Sequence, residues 1–403
     1  MTTFEYSAKD SSGKVTKGIV EAETESAAGS LLLARSLTPL HIKIKEQNRG
    51  LVARFTNRIS RKDKVIFTRQ LATLINAGLP LTQSLRTVAE QSSNKHLALV
   101  LGQVTTSVEG GNTLASSMEK HPKVFNEIYV ALVAAGEASG TLDKALERIA
   151  NQQEKDGEML SKVRGALVYP VIVLVVIVGV VVFLLTTVVP QIKLIYNDFN
   201  KELPFTTSIL LWFSNLITHF WYLIILGAIL IVYLLSRYVK TTNGRSAFDE
   251  LKLKVPLFGP LFRKLYMARF CRTGQTLMES GVPMLEMLRI TGQAINNVHV
   301  EKAISNAANK VKGGKALSDS LKPEDSFLPL VPQMLNIGEK SGAIEKMMEK
   351  AAIYYENELD NQVKTITTTI EPVLMVVLAI VVGVIVLAIL LPVYGLVGDN
   401  LSI

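Results

Sequence analysis

The sequence predicts a mostly α-helical protein: two tandem homologous cytoplasmic helical bundles, three transmembrane helices and a small N-terminal β-β-α-β module. Three observations predict it. A long internal repeat returns after about 202 residues, three apolar runs are each long enough to cross a bilayer, and the first 47 residues carry a strand-like pattern that the rest lacks.

The repeat is the strongest signal. "AGEASGTLDKAL" (135–146) returns as "IGEKSGAIEKMM" (337–348), so Gly136, Glu137, Ser139 and Gly140 match Gly338, Glu339, Ser341 and Gly342 at an offset of 202. Upstream, "FTRQLATLINAGLPL" (67–81) aligns with "FCRTGQTLMESGVPM" (270–284), at an offset of 203. Phe67, Arg69, Leu74, Gly78 and Pro80 return there as Phe270, Arg272, Leu277, Gly281 and Pro283. "EGGNTLASSM" aligns with "KGGKALSDSL", Phe125 with Phe327, and Tyr169-Pro170 with Glu371-Pro372.

Within each copy the units read as helices. Val65, Leu71, Leu74 and Ile75 make an apolar stripe behind a Ser60 N-cap. Gly78 suits the left-handed position past a helix end, and Pro80 starts the next helix. The Gly-Glu-x-Ser-Gly phrase is expected between two helices, its glycines permitting a tight reversal. Leu142, Ala145, Leu146 and Ile149 then give the following helix its buried face.

The apolar runs are 168–190, 208–235 and 371–393. Their cores hold no charged side chain; Asn215 and His219, near Trp212, Trp221 and Tyr222, read as interfacial. Lys155, Lys162 and Arg164 precede the first run, and Arg237, Lys240, Arg245, Lys252 and Lys254 follow the second. That bias predicts a cytoplasmic N-terminus and an extracytoplasmic C-terminus. The expected order is a module (1–47), a linker (48–60), the first bundle (61–167), transmembrane helix 1 (168–190) and an extracytoplasmic loop (191–207). Transmembrane helix 2 (208–235), the second bundle (236–370), transmembrane helix 3 (371–393) and an extracytoplasmic tail (394–403) follow. In the module, "FEYSAKD", a turn at Ser11-Ser12-Gly13, "VTKGIVEAE", a helix over 26–37 and "PLHIKIKE" give the β-β-α-β reading. The start "MTTFEYSAKD" lacks the basic-then-apolar pattern of a signal peptide.

Of the 403 residues, 48% are hydrophobic and 19% charged; mean hydropathy is +0.29 and net charge +8. The single cysteine, Cys271, excludes an internal disulfide framework and reads as a buried small apolar side chain. Little in the sequence reads as catalytic. Gly136 to Gly140 misses the Gly-x-Ser-x-Gly nucleophile elbow, with its serine one place late and no preceding strand. "VKGGKALS" misses the phosphate loop, with Ala316 where a magnesium-binding hydroxyl belongs. Five histidines are scattered without ligand spacing. Glu147 and Asn151 lie one turn apart and present two ligands to a hard cation, fewer than such an ion needs, so a solvated helix face is the plainer reading. No cofactor and no nucleic acid is expected.

As an ensemble, "TRQLATLINAGLPL", "EGGNTL", "AGEASGTLDKAL" and the Tyr-Pro ahead of the first apolar run resemble the inner-membrane platform proteins of type II secretion systems and type IV pili. The resemblance covers about 60–395, and the N-terminal module is similar to theirs as well. It implies six-helix bundles and a multi-pass protein of the cytoplasmic membrane that is not an enzyme. The implied partners are a hexameric assembly ATPase, pilin or pseudopilin subunits, other inner-membrane assembly proteins and further copies of the chain. Rival readings are a transporter or channel subunit, which the apolar spans disfavour, and a membrane-anchored ATPase, which lacks a phosphate loop. Segment 1–167 holds 22 Lys plus Arg against 17 Asp plus Glu, a surplus suited to an acidic partner. Arg69 and Arg272 either dock that ATPase or pair with local carboxylates. Pro170 and Pro372 mark either hinges where the chain meets the membrane or first helical turns.

Overall fold

A computed structural model describes residues 2–9, 15–22, 25–34, 37–44, 59–191 and 205–400. The expected turn at Ser11 to Gly13, most of the linker and most of the loop between the first two apolar runs lie outside the described residues.

The chain divides into two units, the first made of residues 1–60 with 94–96 and the second of the rest. In the first, β1 (Thr2–Lys9), β2 (Val15–Ala22) and β3 (Thr38–Ile44) form one antiparallel sheet in the order β2-β1-β3. The intervening helix α1 spans Glu25–Ala34, and Leu37, the expected end, is not helical. Leu32 and Ala8 are fully buried there.

In the second unit each repeat copy holds six helices among the described residues. The first copy runs α2 (Arg61–Asn76), α3 (Leu81–Gln91), α4 (Lys95–Glu109), α5 (Leu114–Glu119), α6 (Glu127–Ser139) and α7 (Leu142–Phe183). After α8 (Phe205–Tyr238) and α9 (Thr242–Lys254) comes the second copy. It runs α10 (Gly259–Glu279), α11 (Met284–Ile295), α12 (Val298–Lys312), α13 (Leu317–Leu321), α14 (Leu330–Ser341) and α15 (Ile344–Asn400). Helix α9 has no counterpart in the first copy among the described residues. Its buried Asp249 accepts from the amide of Val298 at 3.1 Å and so holds the start of α12.

The two copies repeat in detail. Gly78 and Gly281 both have φ +83°, Gly111 and Gly314 +90° and +87°, and Gly140 and Gly342 +70° and +67°. Only glycine enters that left-handed region without strain, so the same three turns are written twice. At the centre of each copy an aromatic pair recurs: Phe67 with Phe125 at 6.0 Å between centroids, Phe270 with Phe327 at 5.0 Å. Cys271 is fully buried, and burial raises its thiol pKa, which makes it an inert core group.

Two sequence boundaries move. The first and third apolar runs do not begin their own helices: α7 runs from the bundle through Pro170 as one 42-residue helix, and α15 runs through Pro372 for 57 residues. Both prolines are therefore interior, which overturns the first-turn reading. Each removes a backbone donor where the helix is long enough on both sides to absorb the loss. Helix α7 ends in a π-helical turn, Leu184–Val188. There Leu185 and Val189 pack on Leu211 of α8. Helix α8 is interrupted at Phe220, where φ is −116° and ψ 18°. By length and composition, Leu142–Gln191, Ser208–Tyr238 and Ile344–Val384 each suffice to cross a membrane. Their apolar side chains are mostly exposed, among them Ile172, Val176, Leu226, Ile231, Val376 and Ile380. So much exposed apolar surface needs lipid or protein to cover it.

Candidate functional site

The repeated Gly-Glu-x-Ser-Gly phrase is not the link between two helices. Its first four residues form the last turn of α6, and of α14 in the second copy; only Gly140 and Gly342 turn the chain. Each conserved-by-repeat residue then has its own task. A Cβ on Gly136 would stand 2.5 Å from the Cβ of Ala145, and one on Gly338 would stand 2.8 Å from the Cα of Ile344. These glycines let α6 meet α7, and α14 meet α15, at backbone contact. Ser139 and Ser341, both exposed, bond back along their own helix, donating to the carbonyls of Ala135 (2.7 Å) and Ile337 (2.8 Å).

Glu137 reaches back 23 residues. Its carboxylate accepts from the amides of Leu114 (2.5 Å) and Ala115 (2.8 Å), the first two residues of α5. Glu339 does the same for Leu317 (2.5 Å) at the start of α13, and also takes the hydroxyl of Ser318. Short helices have few internal bonds, so a carboxylate on their free N–H groups fixes both ends of a long connection. Sequence reasoning missed this because the donors are backbone groups far upstream. The signal available was the repeat itself, a Glu kept in step with a Thr-Leu or Ala-Leu helix start.

The repeated arginines are likewise used internally. Arg69 donates to both oxygens of Glu154, at 3.2 and 2.7 Å, tying α2 to α7; Arg272 does so with Glu356, at 2.8 and 2.9 Å, tying α10 to α15. Such fork-to-fork pairs fix orientation as well as distance. The Arg272 side chain is 14% exposed and its partner 17%, so this arginine is held by a local carboxylate. Arg69 and Glu154, at 37% and 41%, keep an outward face but pair in the same way. Asn151 also accepts from Arg69, at 2.7 Å. The Asn151 carboxamide oxygen is thus taken by a guanidinium, which counts against the metal pair of Glu147 and Asn151. Among the described residues no cluster of three acidic, His or Cys side chains gathers.

What the sequence did not disclose is the seam between the copies. It is polar and centres on α7. Gln152 donates to Thr273 (3.1 Å) and accepts from Thr276 (3.2 Å), all three buried. Asp156 is shared: Arg61 of its own copy donates to it at 3.2 Å, and Arg269 of the other copy at 2.5 and 2.7 Å. Arg148 donates to the carbonyl of Glu279, and Lys162 meets Asp360 at 2.7 Å. Helix α7 is therefore both the last helix of one bundle and a wall of the other, before it continues into the first apolar run.

Comparisons with known proteins agree with the duplication. The family model for the type II secretion system (T2SS), protein F, matches residues 67–190 and again residues 270–392. The model for the type II secretion system protein F, N-terminal domain, matches residues 1–43. The chain is 39% identical to the type IV pilus assembly protein PilC of Thermus thermophilus over 100% of both chains. It is 37% identical to PilC of Myxococcus xanthus, over 98% of this chain and 95% of that one. It is 34% identical to the type II secretion system protein F of Vibrio cholerae, over 90% of each.

Proposed function

Because the chain belongs to the type II secretion system protein F family, we propose that it is an inner-membrane platform for assembly of a type IV pilus or a type II secretion pseudopilus. In this reading it is a coupling element and not an enzyme. A hexameric cytoplasmic ATPase works against the bundles, pilin or pseudopilin subunits are taken from the membrane, and several copies act together with other inner-membrane assembly proteins. The N-terminal sheet and helix form a separate module, and the bundles face the cytoplasm.

The observation that supports coupling is the continuity of α7 and α15. Each begins inside a bundle and runs on, unbroken, into an apolar run. A rigid helix carries displacement at its base to its other end, about 1.5 Å per residue away. Met159, Val163 and Ala166 anchor α7 in the bundle up to the residue before Leu167; from Val168 on most of its apolar side chains turn outward, with Ile177 buried. Pro170 and Pro372 lie where the character of each helix changes, which suits a hinge.

The test uses the full chain in detergent with its cognate ATPase and nucleotide. Co-purification is expected, weakening as salt rises if the positive surplus of the first segment steers the encounter. Reporter fusions go with it: one after Ile403 is expected outside the cytoplasm and one near Asn243 inside. Absence of binding at low salt, or reversed labelling, would sink the platform reading.

A further inference from the structure

A cleft of about 310 Å³ opens between the two bundles, at the level of Asp156, and it is strongly positive. Arg61, Lys64, Lys123 and Arg269 line it, against the single carboxylate of Asp156. The guanidiniums of Arg61 and Arg269 converge, since both bond the same Asp156. Among the described residues Lys64 has no carboxylate partner: its ammonium donates to the carbonyls of Val124 (2.6 Å) and Lys123 (3.2 Å), two of its three donors. Burial, and then the neighbouring charge of Arg61, lower the Lys64 pKa. Converging cations in a partly dry cleft concentrate field on whatever enters. Apolar side chains of α2, α6 and α7 make much of the remaining wall, and the volume is at the low end for small-molecule sites. One further group lacks a partner. The side-chain oxygen of Gln153, also in the lining, is buried and accepts no hydrogen bond among the described residues. It suits a hydroxyl donor.

We propose that this cleft binds a small phosphate ester bearing a hydroxyl, of nucleoside monophosphate size, with its phosphate on Arg61, Lys64 and Arg269. Arg61 and Lys64 belong to the first bundle and Arg269 to the second. The bound phosphate replaces or supplements Asp156 as the bridge between them, so the ligand sets how firmly the two bundles are clamped. The site stands independently of the platform reading, since its geometry lies within one chain and needs no motor.

The experiment is calorimetric titration of the full chain in detergent with AMP and, separately, with inorganic phosphate, at constant ionic strength in chloride. The variants are R269Q, K64Q and D156N, each checked for helical content. AMP is expected to bind saturably, and R269Q or K64Q to weaken it about tenfold or more, as loss of a charge-assisted bond does. D156N removes the carboxylate that competes for the same cations and is expected to tighten binding, which a folding defect would not do. Inorganic phosphate matching AMP would keep the anion site and overturn the ester. No binding of either at millimolar concentration, or variants that bind as the wild type does, would overturn the proposal.

Discussion

Gly338→Val is expected to destabilise the second bundle by about 3 kcal/mol or more, and Gly342→Ala, four residues away, by only about 1 kcal/mol. The two glycines look equivalent in the repeat but are needed for different reasons. A Cβ at 338 meets the backbone of Ile344 at 2.8 Å, and backbone cannot swing aside as a flexible side chain can. At 342 the backbone is left-handed, with φ +67°, but a Cβ meets nothing within 4 Å. The cost there is conformational alone. Urea unfolding of the chain in detergent, followed by circular dichroism, measures both. Equal midpoints for the two variants would mean that α14 and α15 are not in backbone contact.

The caps carry the second large effect. In Glu339→Ala the amides of Leu317 and Ser318 and the Ser318 hydroxyl lose their acceptor, and a loss of about 2–3 kcal/mol is expected. Glu339→Gln keeps one acceptor oxygen and is expected to cost about 1 kcal/mol. Glu137→Ala, which frees two amides and no hydroxyl, falls between them. Amide hydrogen exchange at Leu317 reads the local effect, and urea midpoints the global one. Wild-type exchange at Leu317 in Glu339→Ala would show the carboxylate free of that helix and available to a partner.

How far the sequence discloses this molecule depends on how far apart the interacting residues stand. The Gly78 and Gly281 turns and the apolar stripes of α2 and α7 are local, and periodicity with glycine chemistry finds them. The duplication itself exposes which residues matter, because Arg69 and Arg272 or Glu137 and Glu339 return in step. It does not expose their partners. Glu154 lies 85 residues from Arg69, and the donors to Glu137 are main-chain groups that carry no residue signature. The seam is harder still, since Asp156 serves Arg61 in one copy and Arg269 in the other. Pro170 misled by a local rule: a proline reads as a boundary, yet the helix runs through it, because flanking turns on both sides hold the backbone.

That unbroken helix is the proposed physical basis for coupling, and breaking it tests the proposal most directly. A flexible Gly-Ser-Gly-Ser insertion between Leu167 and Val168, just past the last buried side chain of α7 in the bundle, leaves both halves intact and removes only their rigid connection. Filament assembly is to be measured in cells that depend on the variant chain, alongside its membrane insertion and its binding of the ATPase. Normal insertion and binding with filament assembly lost is the expected result. Filaments at the wild-type level from the inserted chain would contradict it, because work would then be reaching the membrane by a route other than this helix.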